Sequence, residues 1–348
     1  MPKIDVFCRV IDNYGDIGVC WRLARQLVAE HGCKIRLIVD DLASFRVIAP
    51  EVNPDLPAQR HLGVDVVAWN MADTLTPAPV VIEAFACDPP DAYVAAMAGQ
   101  ATAGRPPVWL NLEYLSAEAW VDDVHGRASP HPRLPLTKHF FCPGFTETSG
   151  GLIREANVVA TDAGPLSQYE TTKVFAFTYP HAPLRALAQG LAEAGSALEI
   201  TVAARLNDRD PAWQTAPAVA QTEFDALLAD FDFLVVRGED SFVRAQWAGK
   251  PFLWHIYPTA DDAHLAKLDA WLERYGIDLE PSLDDAYRAA SRAFNGGETS
   301  PATYAALAAN LPQLAAHASR WRGSLMQQTG LATRLLRLID QVGAQKLG

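Results

Sequence analysis

The sequence has few cysteines, no long apolar run and no excess of positive charge, and each shortage excludes a class of protein. The five cysteines are odd in number and form no CxxC pair, which predicts buried free thiols in a reducing cytoplasm. Charges interrupt residues 1–10, and no stretch approaches the roughly 18 consecutive apolar residues of a membrane span. We therefore expect a cytoplasmic protein with neither a secretory leader nor a membrane span.

Positive charge is also scarce, because 29 Lys and Arg face 41 Asp and Glu, for a net charge of −12. Such a surface repels nucleic-acid backbones and anionic lipids, so we expect neither as the main partner. The sequence contains no GxSxG, P-loop, HExxH or kinase motif, which disfavours hydrolase and ATPase functions. A DxD pattern at Asp208–Asp210 is flanked by turn residues, and we assign no metal to it.

What the sequence does contain is a globular composition and a strand-helix alternation over 348 residues, a length typical of two domains. In the first half, strands are predicted at 4–10, 34–40, 64–69, 80–85, 108–113 and 139–142, and helices at 18–30 and 89–97. This rhythm predicts a mostly parallel sheet covered by helices. Ligands of such sheets bind in loops at the carboxyl ends of the strands.

A second alternation begins near Lys173, which predicts another α/β domain. Strands are expected at 174–179, 198–204, 233–237 and 252–257, and helices at 183–194, 223–229, 241–248, 263–275, 304–326 and 331–342. We expect a joint near 163–171, and a last helix that crosses back to the first domain at Gly330. The predicted domains are therefore 1–168 with 328–348, and 169–327, with a cleft between them.

An acidic loop, 12–18 (DNYGDIG), follows the first strand, where a dinucleotide-binding protein would carry GxGxxG. Asp12 and Asp16 would repel a pyrophosphate there and suit a cationic ligand or a proton donor. The spacing alone also fits a plainer interpretation, in which Asp16 caps the helix and Asp12 supports a turn.

A second loop, 237–241 (RGEDS), joins a predicted strand to a helix. Backbone N–H groups at a helix start, together with Arg237 and Ser241, form a cradle suited to a diphosphate. Glu239 and Asp240 do not suit a phosphate unless they point elsewhere, so an ordinary helix cap remains open at this turn.

Several motifs carry a resemblance that spans nearly the whole chain. They lie at 5–24 (DVFCRVIDNYGDIGVCWRLA), 39–45 (VDDLASF), 82–87 (IEAFAC), 111–116 (NLEYLS), 143–146 (PGFT), 237–242 (RGEDSF) and 254–258 (WHIYP). Together they resemble the EarP family, arginine rhamnosyltransferases that modify elongation factor P. The resemblance implies an α/β fold of the GT-B type, with two Rossmann-like domains facing each other across a cleft.

The resemblance also implies the substrates. The donor would be dTDP-β-L-rhamnose, held by the carboxyl-terminal domain, and the acceptor one loop arginine of elongation factor P, which faces the amino-terminal domain. The sugar would be transferred with inversion, and neither a metal nor a separate cofactor would be required.

By the family pattern, Asp12, Asp16 and Glu239 match the acidic residues needed for activity, with Asp16 in the position of the general base. The positions expected to bind the donor are Tyr179, Gln221, Phe224, Arg237, Asp240, Ser241 and Tyr257. Those expected on the acceptor side are Asn13, Tyr14 and Gly15. The sequence departs from the pattern at Tyr14, where phenylalanine is usual, and at Thr259-Ala260, where Gln and an acid are expected.

Three alternatives remain open on fold-level reasoning. A GT-B enzyme with a small-molecule or lipid acceptor would keep the donor cradle, as would a sugar-nucleotide epimerase. The third is an elongation-factor-binding module without catalysis, which the presence of all three acids disfavours.

Overall fold

The structure is a computed structural model that describes residues 2–11, 14–158, 171–193, 195, 197–203, 205–259 and 261–345. Two compact units divide the chain: Met1–Val158 with Gln328–Gly348, and Val159–Gln327. The expected joint between the domains, near 163–171, lies almost entirely outside the described residues.

The first unit contains eight strands among its described residues: β1 (Lys3–Cys8), β2 (Lys34–Val39), β3 (Ala58–His61), β4 (Val64–Ala68), β5 (Val80–Ala84), β6 (Val108–Leu112), β7 (Ala128–Pro130) and β8 (Thr137–Phe141). Its helices are α1 (Gly15–His31), α2 (Leu42–Ile48), α3 (Asp91–Thr102) and α4 (Trp120–Val124), with a 3-10 turn at Trp69–Thr74. The predicted strands and helices of this half are confirmed, whereas β3, β7, α2 and α4 were not predicted.

The strand order of the first sheet is β3-β4-β2-β1-β5-β6-β8-β7. The six inner strands are parallel, and the outer strands β3 and β7 pair antiparallel with their neighbours. The strands β2 to β4 are added on one side of β1, and the strands β5 to β8 on its other side, so the order reverses between β1 and β5. In a doubly wound sheet this switch point opens a crevice at the carboxyl ends of the two strands.

Both faces of this sheet are buried, because successive side chains of a strand point to opposite sides. Ile4 and Val6 of β1 join one core, which also contains Trp21 of α1. Phe7, the next residue along β1, points to the opposite side and joins the other core with Tyr93 of α3. This double burial explains why the strands are nearly continuous apolar runs.

The second unit contains β9 (Thr171–Ala176), β10 (Ala197–Val202), β11 (Gln214–Thr215), β12 (Phe233–Arg237) and β13 (Phe252–His255) among its described residues. They form a wholly parallel sheet in the order β11-β10-β9-β12-β13, so its switch point lies between β9 and β12. The helices are α5 (Leu184–Glu193), α6 (Phe224–Ala229), α7 (Asp240–Ala248), α8 (Ala263–Tyr275), α9 (Pro281–Phe294), α10 (Pro301–Ala308) and α11 (Leu311–Met326), with a 3-10 turn at Gln221–Glu223.

The prediction of one continuous helix over 304–326 was wrong. The structure has two helices, α10 and α11, which are separated at Ala309–Asn310. Pro312 lies in the first turn of α11, where its missing N–H costs nothing, whereas inside a continuous helix it would remove a hydrogen bond.

The last helix, α12 (Leu331–Gln345), packs on the first unit. Leu335 and Ile339 of α12 are buried in the core that contains Trp21. The Leu331 N–H donates to the carbonyl of Leu152 at 2.9 Å, which fixes the start of the helix against that unit.

All five cysteines lie within the described residues and are buried free thiols, as predicted. Burial raises the pKa of Cys142 to about 12, so this thiol stays protonated at neutral pH. Among the helices of the described ranges, none is both long enough and apolar enough to cross a bilayer.

Candidate functional site

Asp16 lies at the carboxyl end of β1, in the first turn of α1, and is almost completely buried. The backbone N–H of Ile11 donates to its Oδ2 at 2.7 Å. The hydroxyl of Tyr114 donates to its Oδ1 at 3.0 Å. Each oxygen of this carboxylate therefore receives a hydrogen bond from a different segment of the first unit.

The interpretation of Asp16 as the helix cap is wrong, because the N-cap residue of α1 is Tyr14. Within the described part of the chain, Tyr14 makes no side-chain capping hydrogen bond. Gly15 is the first residue of the helix, and both it and Tyr14 are half-buried. Asp12 and Asn13, which were predicted beside them, lie outside the described residues.

Tyr114 follows β6, and its ring stacks on Phe85, which follows β5. The two ring centroids lie 4.2 Å apart, with 13° between the ring planes. Phe85 and Ala86 both have positive φ angles, 58° and 51°, which non-glycine residues rarely adopt. Segments that follow β1, β5 and β6 therefore meet at the switch point of the first sheet.

A polar network lies among the same strands. The Asn111 side chain accepts the Ala86 N–H at 3.0 Å and donates to Glu113. Glu83 of β5 is completely buried and forms an ion pair with Lys138 of β8. Burial raises the pKa of Glu83 and of Glu113 above the ordinary value, although Lys138 opposes this effect in both cases.

In the second unit, the 237–241 turn joins β12 to α7 at the switch point of the second sheet. Gly238 has a φ of +59°, and its carbonyl accepts the indole N–H of Trp254 at 2.7 Å. The N-cap residue of α7 is Glu239, which makes no side-chain capping hydrogen bond to any described residue. Glu239 is therefore not an ordinary side-chain cap of α7.

The hydroxyl of Ser241 is engaged inside the turn. It accepts the Arg237 N–H at 3.1 Å and donates to the Arg237 carbonyl. Ser241 is buried, in the first turn of α7. In this conformation the hydroxyl shapes the turn, and a phosphate contact at this position would come from backbone N–H groups of the helix start.

The Arg237 guanidinium lies over two aromatic rings, with 4.6 Å to the centroid of Phe177 and 4.7 Å to that of Tyr179. Its buried Nε finds no hydrogen-bond acceptor among the described residues. Tyr257, which is 43% exposed, packs edge-on against Tyr179 at 5.6 Å. A fixed cation with an unsatisfied donor is suited to an incoming anion.

Asp240 belongs to a second network in this unit. Its Oδ2 accepts from Gln221 Nε2 at 2.9 Å and from Arg244 Nε at 3.0 Å. Arg244 is buried and also pairs with Asp225 at 2.6 Å. Asp240 therefore holds the 3-10 turn of Gln221 against the start of α7. Phe224 follows this turn and contacts Phe177 edge-on at 5.8 Å.

The structure thus brings the seven predicted donor residues into one neighbourhood of the second unit. Asp16, Tyr14 and Gly15 lie together in the first unit, and Glu239 lies in the second. Sequence reasoning assigned no role to Tyr114, Phe85 or Phe177. The first two belong to motifs that carried the resemblance, but only the strand order places them beside Asp16.

The DxD segment is engaged by protein groups. Arg185 pairs with Asp208 at 2.9 Å and with Asp210 at 3.0 Å. Across the ranges that the structure describes, no three His, Cys, Asp or Glu residues cluster in a way that would hold a metal ion.

His255, at the end of β13, is buried beside the Arg237 cluster. Burial, together with the nearby His181, Arg237 and His264, lowers its pKa from 6.5 to about 3. Its Nδ1 accepts the Tyr179 N–H at 3.3 Å, so the neutral ring carries its proton on Nε2.

We expect acid to destabilise the fold through His255. Between pH 6.5 and 3 the unfolded chain binds a proton at this position and the folded chain does not, so stability falls as the pH drops. Going from pH 7 to 5 costs about 2 kcal/mol from this residue. His255→Asn keeps an acceptor for the Tyr179 N–H but does not titrate. Urea unfolding at pH 7 and pH 5 gives the free energy of unfolding of both proteins. The difference between wild type and variant should be smaller at pH 5 by that amount. An equal difference at both pH values would contradict the prediction.

Comparison with known proteins gives the family. A family model described as elongation-factor P (EF-P) rhamnosyltransferase EarP matches residues 4–211 and 207–340. A protein-arginine rhamnosyltransferase of Pseudomonas putida is 42% identical over 369 residues, which cover 95% of this chain and 97% of the relative. One of Pseudomonas aeruginosa is 41% identical, with 97% and 98% covered.

Solved structures agree with this result. One, described as "Structural basis for EarP-mediated arginine glycosylation of translation elongation factor EF-P", is 30% identical with a TM-score of 0.63, and 98% of this chain and 99% of that chain are covered. The spinosyn rhamnosyltransferase SpnG, at 12% identity, shares the fold with a TM-score of 0.52 and a coverage of 97% and 99%. The predicted GT-B fold is confirmed, and the chain belongs to the EarP family of EF-P rhamnosyltransferases.

Proposed function

We propose that this protein transfers L-rhamnose from dTDP-β-L-rhamnose to one arginine side chain of elongation factor P, in the cytoplasm and with inversion at the anomeric carbon. Membership in the family supports the reaction class. The observation that carries the proposal is the opposite charge at the two switch points. A buried carboxylate, Asp16, lies at the switch point of the first unit, and the half-buried Arg237, whose Nε is buried, lies at that of the second.

The acceptor chemistry suits Asp16. A guanidinium is planar, always charged and offers a fork of donors that carboxylates accept. A typical carboxylate cannot simply deprotonate it, because a gap of about 9 pKa units at 1.36 kcal/mol each is roughly 12 kcal/mol. Proton transfer must therefore accompany bond formation, since the attacking nitrogen becomes acidic only as it gains a bond to carbon.

The donor chemistry suits the turn at 237–241. The diphosphate would lie at the start of α7, where backbone N–H groups and the Arg237 Nε stabilise negative charge. The exposed ring of Tyr257 and the half-buried ring of Phe224 are available to the thymine and the sugar. Gln221 and Asp240 hold the intervening backbone through their hydrogen bond.

In the proposed step, an arginine side-chain nitrogen attacks the anomeric carbon from the face opposite to dTDP. The carbon–nitrogen bond forms while the carbon–oxygen bond breaks, and the electron pair of that bond stays on the departing phosphate oxygen. Asp16 accepts the proton that the nitrogen loses, and Arg237 stabilises the charge that dTDP gains. Asp12 and Glu239 are the two further acids that we assign to this reaction, and neither a metal nor a separate cofactor takes part.

The test is mass spectrometry of elongation factor P after incubation with this protein and dTDP-rhamnose. We expect the mass of one deoxyhexose on a single arginine, together with release of dTDP. An unmodified elongation factor P with no dTDP release would point to a binding module. Release of dTDP with an unmodified protein would mean that the sugar goes to water, and would exclude elongation factor P as the acceptor.

A further inference from the structure

We infer that Tyr114, supported by the ring of Phe85, is a positioning residue that fixes the Asp16 carboxylate for proton transfer. The inference rests on the proposed function, in which Asp16 touches the acceptor nitrogen. Tyr114 acts through Asp16 and requires no contact of its own with the substrate.

The carboxylate of Asp16 is held from two sides. Ile11 N–H donates to Oδ2 at 2.7 Å, and the Tyr114 hydroxyl donates to Oδ1 at 3.0 Å. One of these donors is backbone and stays in any variant, whereas the other is a single removable hydroxyl. Two donors, one on each oxygen, restrict the rotation of the carboxylate and so hold it in one orientation.

The hydroxyl needs support because Tyr114 lies in a loop and is 37% exposed. Phe85 supplies that support, since its buried ring stacks on the tyrosine ring with 4.2 Å between the ring centroids. Stacking in this geometry restricts the ring to one orientation. The Glu113 N–H donates to the Phe141 carbonyl at 2.9 Å, which holds the backbone just before Tyr114.

The backbone at Phe85 and Ala86 adopts an unfavourable conformation that places the Phe85 ring beside Tyr114. Phe85 and Ala86 have φ angles of 58° and 51°, which side chains with a Cβ rarely adopt. The Phe85 N–H donates to the Leu112 carbonyl at 2.7 Å, and the Ala86 N–H donates to Asn111 at 3.0 Å. Such strain persists only where surrounding contacts enforce it, and it concentrates at functional sites.

The decisive variant is Tyr114→Phe, which removes the hydroxyl and keeps the stacked ring. We expect kcat for rhamnose transfer to fall about tenfold, with KM for dTDP-rhamnose and for elongation factor P within about twofold of wild type. A merely structural role would instead lower the melting temperature and leave kcat unchanged.

Phe85→Leu tests the support. It should also lower kcat, but it should have no further effect in the Tyr114→Phe background, because the hydroxyl that Phe85 positions is already absent. Independent losses that multiply in the double variant would overturn the role of Phe85.

The matched control is Tyr93→Phe, in which the lost hydroxyl also donates to a carboxylate, that of Asp5, on the other face of the same sheet. We expect its kcat to equal that of the wild type. The control shows whether any lost tyrosine–aspartate contact in this unit slows turnover.

A readout without turnover separates the inference from the proposed function. In protein labelled with 13C at the aspartate carboxyl carbons, the Asp16 resonance is assigned by its loss in Asp16→Asn. It should move in Tyr114→Phe and stay in Tyr93→Phe. An unmoved resonance, or a kcat within twofold of wild type, overturns the inference. A resonance that moves in a protein transferring no rhamnose supports the contact and overturns the proposed function instead.

Discussion

Asp16→Asn is expected to lower turnover by about 10²–10⁴-fold while dTDP binding stays within about twofold of wild type. Loss of a positioned general base has consequences of this size, because the proton of the attacking nitrogen then has no acceptor. The substitution keeps the volume of the side chain, and the donor residues lie in the other unit. The effect should therefore be confined to the chemical step. Modified elongation factor P, quantified by mass spectrometry over time, gives turnover, and titration calorimetry with dTDP gives donor affinity.

Asp91→Asn provides the matched control. Asp91 lies in the first turn of α3, as Asp16 lies in the first turn of α1, but it is exposed. Both substitutions remove a negative charge that interacts favourably with a helix amino terminus, an effect of up to about 1 kcal/mol on stability. The control should retain full turnover. If Asp16→Asn and Asp91→Asn had the same kcat, Asp16 would not be the base.

The sequence predicted the fold well, because both sheets are parallel at their centres and buried on both faces. Such strands are continuous apolar runs, and helical periodicity separates them. The edge strands β3 and β7, which escaped prediction, lack this signal. β3 has no buried residue, and all three residues of β7 are exposed. These edge strands form because they pair with β4 and β8, which local periodicity does not encode.

The acidic loop and the 237–241 turn could be located from the sequence, because each follows a predicted strand and precedes a predicted helix. Their surroundings could not. Tyr114 is 98 residues from Asp16, and it reaches that carboxylate because β1, β5 and β6 are neighbours in the sheet. Strand order depends on packing among distant segments, so spacing along the chain gives no indication of it.

Ser241 illustrates a different limit. A serine just inside a helix start suggested a hydroxyl aimed at a ligand, but its Oγ is bonded to both the N–H and the carbonyl of Arg237. Serine hydroxyls commonly form such local backbone bonds, and sequence alone does not distinguish this use from ligand binding. In the proposed cradle, the groups that would bind the anion are therefore the Arg237 guanidinium and the backbone N–H groups at the start of α7.

Arg237→Met should weaken dTDP binding by about 10–100-fold. A hydrogen bond from a charged donor contributes about 1.5–3 kcal/mol, and each 1.4 kcal/mol is tenfold in affinity. The methionine side chain keeps apolar contact with Phe177 and Tyr179, so the variant should fold. The dTDP affinity of Arg237→Lys should lie between those of the wild type and Arg237→Met, because an ammonium keeps the charge but loses the planar fork. Titration calorimetry with dTDP measures all three proteins.

Two comparisons make this prediction specific to the diphosphate. Thymidine carries the base without phosphate, so its affinity should be the same for wild type and Arg237→Met. Arg292→Met removes an exposed arginine of the same unit, one that pairs with Asp269 at the surface, and it should leave dTDP binding unchanged. Equal loss of thymidine and dTDP binding would mean that Arg237 supports the aromatic wall through Tyr179. Unchanged dTDP binding would exclude Arg237 from the donor site. Loss of dTDP binding alone would place the departing diphosphate at the switch point of the second sheet.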